Sequence, residues 1–301
     1  MDLQTMAWRL LSPRSPTKER ARLCRLPLSL HRDQRHLLLP PTPVKLRHLG
    51  RADPRGLRLL HQASRYITHM LKLRNAEQAL ANFFASGLLA LGQKLGPILW
   101  QFPPNFQFNA ARLEDFFALL PRDTHAAAAI AQGHDERLKG RAYTAPGRKH
   151  LIRHAMEIRH PSFVTPDFVA LLRRHSIALV CADTVEWPLL MDVTSDFLYC
   201  RLHGSEVLYT SGYGDQALDQ WAARIATWAC GGEVPGGYHA SPKPARQRPA
   251  RDVYIYFDND AKVHAPKDAQ ALIKRITQLL TPTNGRTDAP HSHKRDTQVT
   301  K

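Results

Sequence analysis

The chain has 301 residues, a formal net charge of +16 and four cysteines. This length accommodates one α/β domain of about 250 residues with a substantial core, so a second full domain is not required. Cys24, Cys181, Cys200 and Cys230 form no CxxC pair, and three of them lie in hydrophobic surroundings. This pattern disfavours disulfides and structural zinc and favours buried thiols in a reducing compartment.

The positive charge is concentrated at the start of the chain. Residues 1–62 carry 13 of the 42 lysines and arginines but only 4 of the 26 acidic residues. The remainder is mildly basic, so charge alone does not favour a nucleic-acid partner, although it permits one. No apolar stretch has the length of a membrane span, and the first residues lack a signal-peptide pattern, which predicts a cytoplasmic protein without a membrane partner.

From residue 63 onward, hydrophobic periodicity predicts alternating helices and strands. A long amphipathic helix is expected over residues 76–95. The predicted strands cover residues 97–102, 154–159, 177–181, 197–202 and 253–257. The later helices are predicted over residues 109–120, from Thr165-Pro166-Asp167 onward, and over residues 216–228 and 267–280. Residues 281–301 are expected to form a disordered tail.

Each predicted strand ends in a cluster of charged or amide side chains, as in PILWQFPPNF, HAMEIRHPSF and VYIYFDND. Short apolar strands that alternate with helices are typical of a parallel α/β barrel, whose functional site lies at the carboxyl ends of the strands. The pattern therefore predicts a TIM-like (β/α) barrel that is incomplete at its N-terminal strands.

A run of motifs resembles one known family. SRYITHMLKL, LGPILWQFPPNF, EIRHPSF, CADT, YCRLHG, YTSGYGDQAL and VYIYFDND occur in the order and spacing of the YecE-like family, known as domain of unknown function 72. The resemblance covers residues 63–280 and implies a TIM-like barrel with a pocket at its strand ends. It implies no established reaction.

Residues 1–62 lack the first part of that family pattern, and we expect them to be an irregular, non-native segment. Residues 6–12 and 31–38 can be encoded by codons that give the family strings WRGVFYP and IEINGTFY when they are read one nucleotide later. Two further strings follow from residues 45–50 and 56–62. This predicts an out-of-frame translation of the N-terminal barrel strands; a lineage-specific basic extension is the alternative.

The candidate site residues follow from strand alternation, because residues two apart lie on one face. The pairs that share a face are Glu157 with Arg159, Cys181 with Asp183, Arg201 with His203, and Asp258 with Asp260. The residues predicted to be catalytic are Glu157, Arg159, Asp183, Arg201, His203, Asn259 and Asp260. The residues predicted to bind substrate are His69, Gln101, His160 and Tyr213.

Such a cluster suits general acid–base chemistry on a phosphorylated or sugar-like small molecule, by a hydrolase or an isomerase. Three alternatives stay open: a nucleic-acid-binding or nucleic-acid-processing barrel, an inactive product of a frame-shifted gene, and a structural ion-pair network in which Glu157 pairs with Arg201 and Asp183 with Arg159. A divalent metal is compatible with these residues, but no metal-ligand spacing occurs, and no cofactor is required. His160 could simply cap the loop that follows it.

Overall fold

A computed structural model describes residues 6–10, 58–138, 140–204, 212–259 and 264–281. These residues form one sheet of seven strands: β1 (Met6–Leu10), β2 (Leu59–Gln62), β3 (Leu95–Gln101), β4 (His154–Glu157), β5 (Ala178–Asp183), β6 (Phe197–Leu202) and β7 (Asp252–Phe257). Strands β2 to β7 are parallel and lie side by side in chain order, whereas β1 pairs antiparallel with β7. The result is a curled half-barrel.

Helices connect most of the parallel strands. They are α1 (Glu77–Ala85), α2 (Ala110–Leu119), α3 (Thr124–Ala131), α4 (Pro166–Arg174), α5 (Asp215–Ala229) and α6 (His264–Leu280). Local sequence explains where they begin. The Asn109 side chain accepts a hydrogen bond from the Arg112 amide at 2.9 Å, and Thr165 caps α4, whose first residue is Pro166. Both are standard start signals for a helix.

The sheet has two covered faces. The inner face carries a cluster that includes Leu99, Val180, Tyr199 and Tyr256. The outer face packs against the helices in two larger clusters, one under α1 to α4 and the other under α5 and α6. Because both faces are buried, the strands are apolar on both sides, as expected for a parallel sheet.

The amino ends of the strands are closed by Arg153. Its guanidinium bonds to Asp252 at 2.6 Å and to Asp196 at 2.8 Å, and it lies 5.2 Å from the centroid of the Phe197 ring. In barrels of this kind, the amino end serves stability and the carboxyl end serves function. Arg153 is therefore a structural ion-pair partner.

The structure differs from the sequence-based expectation at the start of the chain. Residues 1–62 were expected to be irregular, yet β1 and β2 both fall within them, and β2 is a parallel edge strand beside β3. The short alternation of Leu59 to Gln62 explains this, because Leu60 faces the inner cluster and Leu59 the outer one. The rest of residues 1–57 and the predicted tail from 282 onward lie outside the described residues.

Two smaller expectations are also corrected. The helix predicted over residues 76–95 ends at Ala85, because Gly87 adopts φ 109°, and a 3₁₀ segment, Leu88–Lys94, follows. Left-handed glycine is a common helix terminator. Cys181 and Cys200 are buried, but Cys230 is exposed.

Within the described part of the chain, no helix has both the length and the apolar character needed to cross a membrane.

Candidate functional site

Four inward-facing side chains meet at the carboxyl ends of the parallel strands. They belong to β3, β4, β6 and the residue after β7, namely Gln101, Glu157, Arg201 and Asp258. Each lies two residues beyond a member of the inner apolar cluster, so strand alternation turns it to the same face. We call this group, together with Arg159 and His203, the strand-end cluster.

Glu157 is at the centre of the strand-end cluster and is fully buried. Its Oε1 accepts hydrogen bonds from Nε and Nη2 of Arg159 at 3.1 and 3.0 Å. Its Oε2 accepts one from Nη1 of Arg201. The carboxylate is thus held between two guanidinium groups, an arrangement in which charge-assisted bonds offset the cost of burial. Removing Glu157 would leave both cations without this partner.

Arg201 connects three strands. Its Nε donates to Oδ2 of Asp258 at 2.7 Å, and its Nη1 donates to Oε1 of Gln101 at 3.3 Å as well as to Glu157. Burial alone would lower the pKa of Arg201, but the charges of Asp258 and Glu157 raise it above its ordinary value. Arg201 is therefore a fixed positive charge on β6 that holds the carboxyl ends of β3, β4 and β7 to its own strand.

His203 is fully buried beside the same carboxylate. Its Nδ1 lies 3.5 Å from Oδ2 of Asp258, and its ring meets the Trp187 ring edge-on at a centroid distance of 5.4 Å. Burial lowers the pKa of His203 to about 4, against the opposing effect of Asp258. The imidazole is consequently neutral near pH 7.

Arg159 is the second cation of the cluster. Its guanidinium carbon lies 4.1 Å from the centroid of Trp187, and its side chain is 14% exposed. Both Nε and Nη2 bond to Glu157, whereas Nη1 makes no hydrogen bond to any of the described residues. Stacking on one side and chelation on the other hold this guanidinium in place.

Two tyrosines form the layer below the cluster. The rings of Tyr199 and Tyr256 stack at 4.9 Å with an interplanar angle of 21°. Burial raises the pKa of both hydroxyls. The Tyr256 hydroxyl oxygen and Trp187 Nε1 are buried and make no hydrogen bond within the described part of the chain. Such atoms are uncommon in folded proteins.

Two residues predicted to be catalytic lie on the opposite face of the strands. Asp183 turns toward α5, where its Oδ2 accepts a hydrogen bond from Nε1 of Trp221 at 3.0 Å, and burial raises its pKa. Asn259 donates to Oδ2 of Asp268 on α6 at 2.7 Å. The predicted alternation was right, but the assignment of these residues to the inner face was wrong. Both instead anchor helices behind the sheet.

The residues predicted to bind substrate are similarly divided. Gln101 belongs to the strand-end cluster. Tyr213 lies behind the sheet, where its ring is 5.9 Å from that of Phe257 and its amide bonds to Asp268. His160 caps the turn after β4, since its Nδ1 accepts from the Ser162 amide at 3.1 Å. His69 lies on the loop after β2, and Asp260 lies outside the described residues.

Two residues that the fold brings to the cluster, Asp258 and Trp187, were not among those predicted from the sequence to be catalytic or to bind substrate. The position of Asp258 on the inner face follows from the same strand alternation that puts Glu157 there. This alternation is visible in the sequence. Trp187 lies in the irregular segment after β5, where no periodicity indicates its direction. Over the ranges that the structure describes, no group of three or more His, Cys, Asp or Glu side chains is placed to hold a metal ion.

The fold and this site define a parallel α/β half-barrel with a polar cluster at its strand ends. The family model described as "Protein of unknown function DUF72" matches residues 39–292, so the chain belongs to the DUF72 family. The YecE-like resemblance is thereby confirmed. The match begins at residue 39 rather than 63. Comparison with curated proteins finds no match.

Two solved structures are similar to the chain. A DUF72 family protein from Thermotoga maritima MSB8 has a TM-score of 0.53 and 18% sequence identity, with 81% of each chain covered. A DUF72 family protein from Enterococcus faecalis V583 has a TM-score of 0.51 and 16% identity, covering 80% of this chain and 84% of that one. At this identity the likeness supports the fold alone.

Proposed function

We propose that the strand-end cluster binds a phosphorylated or sugar-like small molecule and that the protein acts on it as a hydrolase or an isomerase. The observation that carries this proposal is the state of Arg159. Its guanidinium is fixed by Trp187 and Glu157, yet Nη1 makes no bond to the described residues. A fixed guanidinium that keeps a donor nitrogen in reserve is suited to a phosphate or carboxylate group.

The rest of the cluster supports the same proposal. Gln101 lies beside Arg201 and is partly exposed, so its amide group suits hydrogen bonds to sugar hydroxyls. The neutral imidazole of His203 lies beside Asp258, whose carboxylate would stabilise positive charge on the ring when a proton is transferred to it. Hydrolysis and isomerisation both need such a proton transfer.

Binding is tested by comparing two buried arginines at opposite ends of the half-barrel. We expect a sugar phosphate at about 100 times its Kd to stabilise the wild-type chain by about 2.7 kcal/mol, seen as a rise in Tm. Arg159→Gln should abolish this rise. The matched control, Arg153→Gln, should lower Tm without ligand but keep the ligand-induced rise, because Arg153 lies at the amino ends.

Retention of the ligand-induced rise in Arg159→Gln would count against the proposal. So would a wild-type chain whose Tm no sugar phosphate changes.

The reaction is tested with the same sugar phosphates. We expect wild-type protein to release phosphate or to interconvert aldose and ketose forms, and His203→Gln to lose turnover by about 10²-fold or more while it still binds. Measurement of kcat and of the calorimetric Kd separates the two effects. Equal turnover in wild type and variant would remove His203 from the proposed chemistry.

A further inference from the structure

The loop of residues 65–75 rises from the edge of the strand-end cluster. It follows β2, whose last residue, Gln62, donates from Nε2 to Oε1 of Gln101 at 3.1 Å. The Ala63 amide, directly before the loop, donates to the Leu99 carbonyl at 2.8 Å. The loop therefore starts at the carboxyl end of the strands, beside the residues proposed to bind ligand.

The backbone of the 65–75 loop is unusual. Tyr66–Met70 form a π-helical turn, which is followed by three residues with positive φ: Lys72 at 50°, Leu73 at 67° and Asn75 at 46°. This region is unfavourable for residues such as leucine. It persists because Ile67 and Leu73 are buried and because the Leu73 amide donates to the Ile67 carbonyl at 3.0 Å. Both π-helical turns and left-handed residues concentrate at functional sites.

The π-helical turn exposes two large apolar side chains together. Ile67 and Thr68 face the core, whereas Tyr66 is 46% exposed and Met70 is 75% exposed. Residues four apart lie on the same side of a helical turn, so these two side chains form one surface. A tyrosine ring beside a flexible methionine is suited to contact with a flat ring.

The charged residues of the loop that carries this surface are all basic. Residues 65–75 include Arg65, Lys72 and Arg74 but no acidic residue. Burial lowers the pKa of His69, and the positive charges of Arg65 and Arg159 lower it further, which places both guanidinium groups near His69. The exposed apolar surface therefore lies on a loop whose charged side chains are all basic, and the charge of Arg159 acts on His69 of the same loop.

We infer that the ligand of this site is a nucleoside monophosphate, whose phosphate lies against Arg159 and whose base stacks on Tyr66 and Met70 of the 65–75 loop. The inference rests on the proposed function and specifies its ligand class. Base–aromatic stacking depends little on the identity of the base, because every base has a π face. The loop therefore selects for the presence of a base.

The test is calorimetric titration of the full chain with adenosine monophosphate and with ribose monophosphate. We expect wild-type protein to bind the nucleotide about tenfold tighter or more, and Tyr66→Ala to remove this preference without changing the affinity for ribose monophosphate. Tyr66→Phe should retain the preference. The matched control is Tyr238→Ala, because Tyr238 is 69% exposed in the segment that precedes β7 at its amino end.

Three results would overturn the inference. Equal affinity of wild-type protein for the two phosphates would remove the role of the base and leave the phosphate site intact. A preference that persists in Tyr66→Ala, or that Tyr238→Ala also removes, would exclude the 65–75 loop. Failure of wild-type protein to bind either phosphate would overturn the proposed function and, with it, this inference.

Discussion

The buried side chain of His154 makes the stability of this fold depend on pH. Its Nδ1 accepts a hydrogen bond from Nε1 of Trp100 at 3.1 Å, and its Nε2 lies 2.8 Å from the Pro121 carbonyl oxygen. One nitrogen thus acts as acceptor and the other as donor, which is the neutral form. Burial lowers the pKa of His154 to about 4, and it lowers that of His203 to about 4 as well.

These two histidines predict that the folded state loses stability in mild acid. Their ordinary pKa is 6.5, so the unfolded chain takes up protons near pH 6.5, whereas the folded chain does so only near pH 4. Stability is then complete above about pH 6.5 and falls as the pH is lowered toward 4. The loss approaches about 3 kcal/mol for each histidine.

Urea unfolding at several pH values between about 7 and 4.5 measures this dependence. We expect His154→Gln to show a smaller decrease in the free energy of unfolding over that range than wild type. A variant with the same decrease as wild type would show that His154 does not titrate as its burial implies.

The alternation of side chains along each strand was predictable from the sequence. Which of the two faces points into the barrel was not. The residue pairs expected to share a face do so for Glu157 with Arg159 and for Arg201 with His203. Asp183 and Asn259 were placed on the wrong face, because both faces of this sheet are covered by apolar residues. Hydrophobicity therefore does not tell the inner face from the outer face.

Helix boundaries show a similar division between local and tertiary causes. The caps at Asn109 and Thr165 were predictable, since each side chain bonds to a nearby amide. The end of α1 depends on the left-handed conformation of Gly87, which interrupts an otherwise continuous apolar pattern. The sequence around Trp187 and in the 65–75 loop shows no hydrophobic periodicity. Their positions beside the site could therefore be found only from the structure.

At the scale of the whole molecule, the described residues form a half-barrel whose N-terminal side is incomplete. The six parallel strands β2 to β7 are followed, beyond β7, by the antiparallel strand β1. A closed barrel would continue with parallel strands instead. The out-of-frame origin of residues 1–62 stays a prediction. The family match begins at residue 39 and strand β2 covers Leu59–Gln62, so both include the later part of that segment.

The nucleotide sequence across codons 1–65 tests this prediction. We expect the codons of residues 6–12 and 31–38 to give WRGVFYP and IEINGTFY when read one nucleotide later. A chain with that reading restored should unfold at a higher temperature, because added parallel strands would cover the edge beside β2. Codons that do not give these strings would support a genuine basic extension instead.

The central claim is that Arg159 receives the anionic group of a small ligand at the carboxyl end of β4. A structure of the full chain bound to a sugar phosphate tests this most directly. We expect a phosphate oxygen about 2.7–3.2 Å from Nη1 of Arg159, beside Trp187. A phosphate bound elsewhere, such as near Arg153 at the amino ends of the strands, would contradict it.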